Sequence, residues 1–154
     1  MFYRHRFEVN GTLDKVTEFH TQSANMAALT PPPMLVRMQE TPSALREGDE
    51  MAFNLWLGAL PMRWLLRIEE VSAHGFTDRQ LRGPFKTWVH RHKFHCLDEE
   101  WTEIVDEIEL ELRPHLIWWP VGFFIWLNLP ILFAYRRWKT RQILAKNRGK
   151  LQVA

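Results

Sequence analysis

Four titratable side chains have the types and spacing to act together: Asp78, His90, His92 and Asp106. Three of them lie in one stretch, residues 75 to 94, which reads as two strands joined at Gly83-Pro84. In a strand, alternate residues share a face. Phe76, Asp78 and Gln80 therefore line up on the first strand, and Trp88, His90, His92 and Phe94 on the second. The other face of the second strand carries Thr87, Val89, Arg91, Lys93 and His95, a largely solvated set. The aromatic face is the inward one, and its polar members must find partners.

Three chemistries fit these residues. His-x-His on one strand face with a nearby carboxylate is a partial metal set. No third His or Glu stands at a convincing spacing, so no metal and no cofactor are expected. A His held in one tautomer by an Asp can move protons near neutral pH, as in enolisation or dehydration of a carbonyl compound. The third chemistry is structural: Asp78, Gln80, His90, His92 and Asp106 form a satisfied hydrogen-bond network that fixes the sheet and the polar end of a pocket.

The surrounding elements follow from periodicity and punctuation. Tyr3, His5, Phe7 and Val9 alternate in a first strand. Asn10-Gly11-Thr12 breaks it, and Leu13, Val16 and Phe19 follow at helical spacing with Asn10 or Thr12 as cap. Residues 23 to 29 suit a second short helix, ended by Pro31-Pro32-Pro33. Strands are predicted over 34–38, 51–57 and 62–71, where Met51, Phe53, Leu55 and Leu57 alternate. A last strand covers 101–112, with Thr102, Ile104, Asp106, Ile108 and Leu110 on one face and mostly glutamates on the other.

Residues 115 to 135 form the most apolar run, without a single Asp, Glu, Lys or Arg. Its length suits a bilayer span. Pro120 and Pro130 interrupt it, however, and Asn128 before Pro130 reads as a helix start. The run is therefore divided into a partly exposed apolar segment, 116–127, and a long helix, 129–146, packing Ile131, Tyr135 and Trp138 against the sheet.

At 154 residues the chain suits one domain, assigned to 1–147, with a basic tail at 148–154. A net charge of +2 is too small to argue for nucleic acid, and none is expected as a partner. The charges are blocked: residues 98–111 hold eight acids and no base, and residues 136–150 seven bases and no acid. These blocks either face each other or face water. The single cysteine, Cys96, excludes an internal disulfide and suits a reducing, cytoplasmic setting. Met1-Phe-Tyr-Arg-His-Arg shows no apolar signal region. Two contacts are expected of segment 116–127 and the basic tail: homodimerisation, or attachment to the surface of an anionic membrane.

Gly75-Phe-x-Asp-x-Gln-x-x-Gly-Pro-Phe-x-x-Trp-x-His-x-His-x-Phe94 resembles the pattern of the SRPBCC superfamily, the START-like helix-grip proteins that include polyketide cyclase/dehydrase-like members. The early helices with Pro31-Pro32-Pro33, the strand 102–112 and Leu132-Phe-Ala-Tyr-Arg136 are similar to that family's outer segments. The resemblance implies an α+β helix-grip fold, a curved antiparallel sheet around a long C-terminal helix. It also implies a hydrophobic cavity that binds an apolar small molecule (lipid, polyketide or isoprenoid-like). The alternatives are a cyclase or dehydratase using the His/Asp residues, and a membrane-associated adaptor. Lining candidates from the sheet are Phe53, Leu55, Trp64, Gln80, Trp88 and His90, with His92, Phe94, Ile104 and Ile108. Tyr135 and Trp138 are expected to line it from the helix.

Overall fold

The computed structural model describes residues 1–39 and 41–151, with side chains described up to residue 146. The first strand, β1 (Phe2–Asn10), leads into α1 (Leu13–Thr21), whose cap is Thr12: its hydroxyl oxygen accepts from the Lys15 backbone N–H. Val16 and Phe19 are the buried face of α1. A single turn, α2 (Asn25–Ala28), precedes β2 (Leu35–Met38). Five longer strands follow without interruption: β3 (Glu50–Leu57), β4 (Leu60–Ser72), β5 (Gly75–Arg82), β6 (Thr87–Cys96) and β7 (Trp101–Glu111). Helix α3 (Trp118–Leu151) closes the chain.

All seven strands join one antiparallel sheet in the order β1-β7-β6-β5-β4-β3-β2. The first strand thus pairs with the last, and the two helices between β1 and β2 carry the chain to the opposite edge. Register shifts at Leu65/Leu66 and Glu69/Ser72 break the even pairing of β4 with β5. Such bulges bend a strand and increase its twist. At the β4–β5 turn Gly75 has φ +140°, and a Cβ there would lie 1.9 Å from the His92 carbonyl oxygen. Only glycine fits both the backbone angle and that approach.

The inner face is buried under α1 and α3, with Val9, Ile68, Phe94, Ile104 and Ile108 among its most enclosed residues. The outer face is a lattice of cross-strand ion pairs. The acids of β7 meet bases of the neighbouring strands: Glu103 with Arg6, Glu107 with Arg4 and Lys93, Glu109 with Arg91. The glutamates of β7, the larger part of the acidic block, are therefore matched within the sheet. Val89 and Val105 are buried on this outer face, among the stems of these long side chains.

Two expectations for the C-terminal third are corrected. First, the apolar run does not divide at Asn128: α3 is one helix from Trp118 onward, with Pro130 inside it. Pro120 falls in its first turn, where a missing N–H costs no helical hydrogen bond. Beside the Pro130 break, the Asn128 side chain donates to the Phe124 carbonyl at 2.8 Å, so the amide serves the helix and does not start it. Second, the face is different. Leu129, Phe133, Thr140 and Leu144 are buried, while Ile131 and Trp138 are 67% and 51% exposed. Tyr135 packs its ring against Trp138, 5.5 Å between centroids and tilted by 54°. The helix backbone continues to Leu151. The side chains of 147–154 lie outside the described residues.

Candidate functional site

Pairing registers bring the four titratable residues together. Asp78 lies opposite His90 on β5 and β6, and Asp106 lies opposite His92 on β7 and β6. Because β6 is central, its two imidazoles stand side by side, ring centroids 3.8 Å apart, between a carboxylate on each flank. His90 Nε2 donates to Asp106 Oδ1 at 3.0 Å, and His90 Nδ1 is 3.4 Å from Asp78 Oδ2. His92 Nε2 donates to Asp78 Oδ2 at 3.2 Å. His92 Nδ1 lies 3.0 Å from Asp106 Oδ1 but is not aligned for a hydrogen bond. Trp88 Nε1 completes the set, donating to Asp78 Oδ1 at 3.4 Å. Phe76 stacks on His92 at 4.4 Å.

The charges in this square follow from its closeness. Burial pushes the Asp78 carboxyl up, but the neighbouring His90 and His92 outweigh it and hold the group well below the usual carboxylate range. Asp106 behaves in the same way, with burial opposed by the same two histidines. Burial pulls His92 down; its contacts with Asp106 and Asp78 overcome this and raise it to about 9. His92 is therefore an imidazolium at neutral pH, ion-paired to two carboxylates.

The network borders a cavity of about 170 Å³ between the sheet, α1, α2 and α3. Asp78, His90 and His92 reach its surface from one end. His20 of α1 and Arg136 of α3 reach the same space. His20 Nδ1 is 2.8 Å from the Val16 carbonyl, so that nitrogen carries the proton and Nε2 is left as an acceptor. Burial lowers His20 to about 4, keeping it neutral. Most of the remaining wall is apolar, with Phe53, Leu55, Met62 and Trp64 from β3 and β4 and Leu129 and Phe133 from α3; Ser23, Asn25, Thr30 and Asn128 add polar groups to it. Gln22 and Phe124 are exposed members of the lining, at its rim.

Of the expected lining residues, Phe53, Leu55, Trp64, Trp88, His90 and His92 border the cavity. Phe94, Ile104 and Ile108 point inward too, but are packed beneath it in the core. Gln80 instead donates to the Phe85 carbonyl, tying the β5–β6 connection together. Asp106 lies behind the histidines, a positioning partner without a place in the wall. Tyr135 and Trp138 are on the far side of α3. The sequence reading missed His20, Met62, Phe133 and Arg136. Phe133 and Arg136 share a side of α3 with Leu129, two residues back from the face chosen, and the evenly apolar run offered no contrast to find them by. His20 carried no motif at all.

One ligand atom from each of Asp78, His90 and His92 lies within 4.8 Å of the others, making these the residues that could hold a divalent cation. In the arrangement seen here, those atoms are occupied with one another, and a metal would have to displace the protons between them.

No family model matches the chain, and no curated protein matches its sequence. Solved structures do match over most of its length. A START superfamily protein from Mycobacterium smegmatis superposes with a TM-score of 0.69, covering 94% of this chain and 97% of its own, at 7% identity. Norcoclaurine synthase from Thalictrum flavum gives 0.70, covering 95% and 87%, at 12% identity. An aromatase/cyclase from a Streptomyces species gives 0.61, covering 75% and 70%, at 20% identity. The fold is the START-like helix-grip fold that these structures share. At these identities the likeness speaks for architecture, not for any one activity.

Proposed function

We propose that this protein binds an apolar small molecule in the cavity between its sheet and α3. The observation that carries the reading is the wall itself. Met51, Phe53, Leu55, Met62 and Trp64 face the cavity from the strands, and Leu129 and Phe133 face it from the helix. The fold, shared with START and cyclase-type proteins, supports it at a coarser level. A direct test is native mass spectrometry of freshly purified protein, followed by displacement of a bound apolar fluorophore. Leu55→Trp would fill the space from a half-buried position. It should abolish displacement while leaving the far-UV spectrum unchanged. Unaltered fluorophore binding in that variant would place the ligand elsewhere.

A catalytic reading, as a cyclase or dehydratase, is favoured by one observation: Asp78 and His92 both face the cavity. A protonated His92 would be the acid that polarises the carbonyl, the Asp78 carboxylate at the cavity would be the base that takes the α-proton, and Asp106 would hold the imidazolium in place. A bound ketone exchanging its α-proton for deuterium only with His92 intact would support this reading, and exchange at the solvent rate would end it.

The outer side of α3 favours a peripheral membrane contact. Trp119, Phe123, Leu127 and Ile131 follow one another at four-residue spacing, all exposed, with Trp119 and Phe123 stacked at 5.5 Å. Arg137, Lys139 and Arg141 continue the helix. Such a stripe beside bases suits an anionic leaflet approached from the cytoplasm. Co-sedimentation with phosphatidylserine vesicles, lost in a Trp119→Ser/Phe123→Ser variant, tests it. Dimerisation by the same variant-sensitive face, without vesicle binding, would replace the membrane with a second copy.

A further inference from the structure

Arg136 brings a cation into the cavity that the protein itself does not use. It stands on the buried side of α3, and its guanidinium carbon lies 5.2 Å from the centroid of the Phe133 ring. Its Nε is sealed from solvent with no acceptor. Among the described residues no carboxylate lies within ion-pair distance of it and no acceptor takes a hydrogen bond from it. Burial lowers its pKa, against the opposing pull of Asp106 and Asp78, yet a guanidinium stays charged across the physiological range. Those two carboxylates are already engaged by His90, His92 and Trp88. A buried guanidinium Nε–H with no acceptor is costly, and the cost falls when an acceptor arrives.

We propose that the cavity's ligand is a small monocarboxylic acid whose carboxylate is held by Arg136. This rests on the reading of the cavity as a ligand site and names the ligand's class. The planar fork of a guanidinium matches the two oxygens of a carboxylate. At the other end Phe53, Leu55 and Met62 offer only apolar surface, so the remainder of the molecule is hydrocarbon. Size narrows it further. An engineered cavity of about 150 Å³ admits benzene, and this one measures about 170 Å³. A single ring or short chain with an acid arm fits that space; a long acyl chain does not. Asp78, Asp106, imidazolium His92 and Arg136 sum to no net charge, so the acid gains from donor geometry rather than from a positive field. Its advantage over the matching alcohol is accordingly moderate, about tenfold to a hundredfold for one charge-assisted contact.

Calorimetry with hydrocinnamate and hydrocinnamyl alcohol tests this on the full-length protein. The wild type should bind the acid at least tenfold more tightly than the alcohol. Arg136→Met, which keeps an apolar stem in the helix, should lose that advantage while its affinity for the alcohol stays within about threefold of wild type. Arg136→Lys retains the charge without the fork and should fall between the two, which keeps the question open to test if Arg136→Met does not fold. Equal affinities for acid and alcohol in the wild type, or an acid preference kept in Arg136→Met, would overturn the role of Arg136 and leave the cavity as a site for neutral ligands. Binding of neither compound would remove the ligand-site reading for this class of molecule, and the acid with it.

Discussion

On β3 and β4 the inner pleat positions hold Met51, Phe53, Met62, Trp64 and Leu66; on β5, β6 and β7 the same kind of position holds Asp78, His90, His92 and Asp106 among aromatics. Both halves are buried, and both belong to one sheet under one helix. The apolar half is loosely filled and leaves the cavity. The polar half is tightly paired and leaves almost no space, because each of its groups must have a partner once water is gone. Burial therefore does different work on the two sides: it creates room for a guest on one and removes the freedom of ionisable groups on the other.

The sharpest way to break this comparison is to remove one corner of the polar square. Asp106→Ala should lower the unfolding free energy by about 3 kcal/mol, since it leaves the buried His90 Nε2–H without an acceptor and His92 with one carboxylate in place of two. Urea denaturation measures it, and a loss under about 1 kcal/mol would mean that water reaches the square.

Next in size is the pH dependence. His92 is raised from 6.5 to about 9, so the folded state holds its proton more tightly than the unfolded one. That stability is complete below pH 6.5, declines between 6.5 and 9, and is absent above 9; it amounts to roughly 3 kcal/mol. His20 acts in the opposite sense. Lowered to about 4, it costs nothing above pH 6.5 and destabilises progressively as the pH falls toward 4. The depressed Asp78 and Asp106 add a further loss as the pH falls through the ordinary carboxylate range and below, where the unfolded chain takes up protons that these two groups refuse in the fold. The melting temperature should therefore peak near pH 6.5, and His92→Asn should flatten the alkaline side alone. An alkaline limb unchanged in that variant would assign it to another group.

Truncations in the apolar half should cost less. Met62→Ala removes a fully buried side chain and should cost about 2 kcal/mol by transfer and cavity enlargement together. Leu55→Ala, half-buried and facing space that already exists, should cost about 1 kcal/mol. If Met62→Ala proves more damaging than Asp106→Ala in the same urea series, the two halves are not the contrast described above.

The smallest effect concerns metal. Elemental analysis should find no stoichiometric zinc, iron or nickel, and EDTA should leave the melting temperature where it was. A bound metal lost on changing His92 to Ala would turn the square from a proton network into a coordination site.

The strands were legible for a simple reason. Period-2 alternation in 76–80, 88–94 and 102–110 carries its own face assignment, because a residue and its second neighbour cannot lie on opposite sides of a pleat. Thr12 as a cap and Val16 with Phe19 as a buried face were legible in the same local way. Helix α3 was not. Its run from Trp118 to Tyr135 is apolar on every side, so no periodic contrast distinguished Leu129, Phe133 and Arg136 from Ile131, Tyr135 and Trp138. Proline and asparagine signals then suggested a helix start where the fold runs straight through.

By itself, the sequence determined which side chains share a strand face, where the turns fall, and that Asp78, His90, His92 and Asp106 would need partners. Those are local matters, set by backbone period and by the cost of burying charge. Only the tertiary structure decided who those partners are, since they depend on the register of β5, β6 and β7 across gaps of many residues. Tertiary structure also decided which side of an evenly apolar helix meets the sheet. By turning that side inward it placed Arg136 beside the polar groups of the cavity.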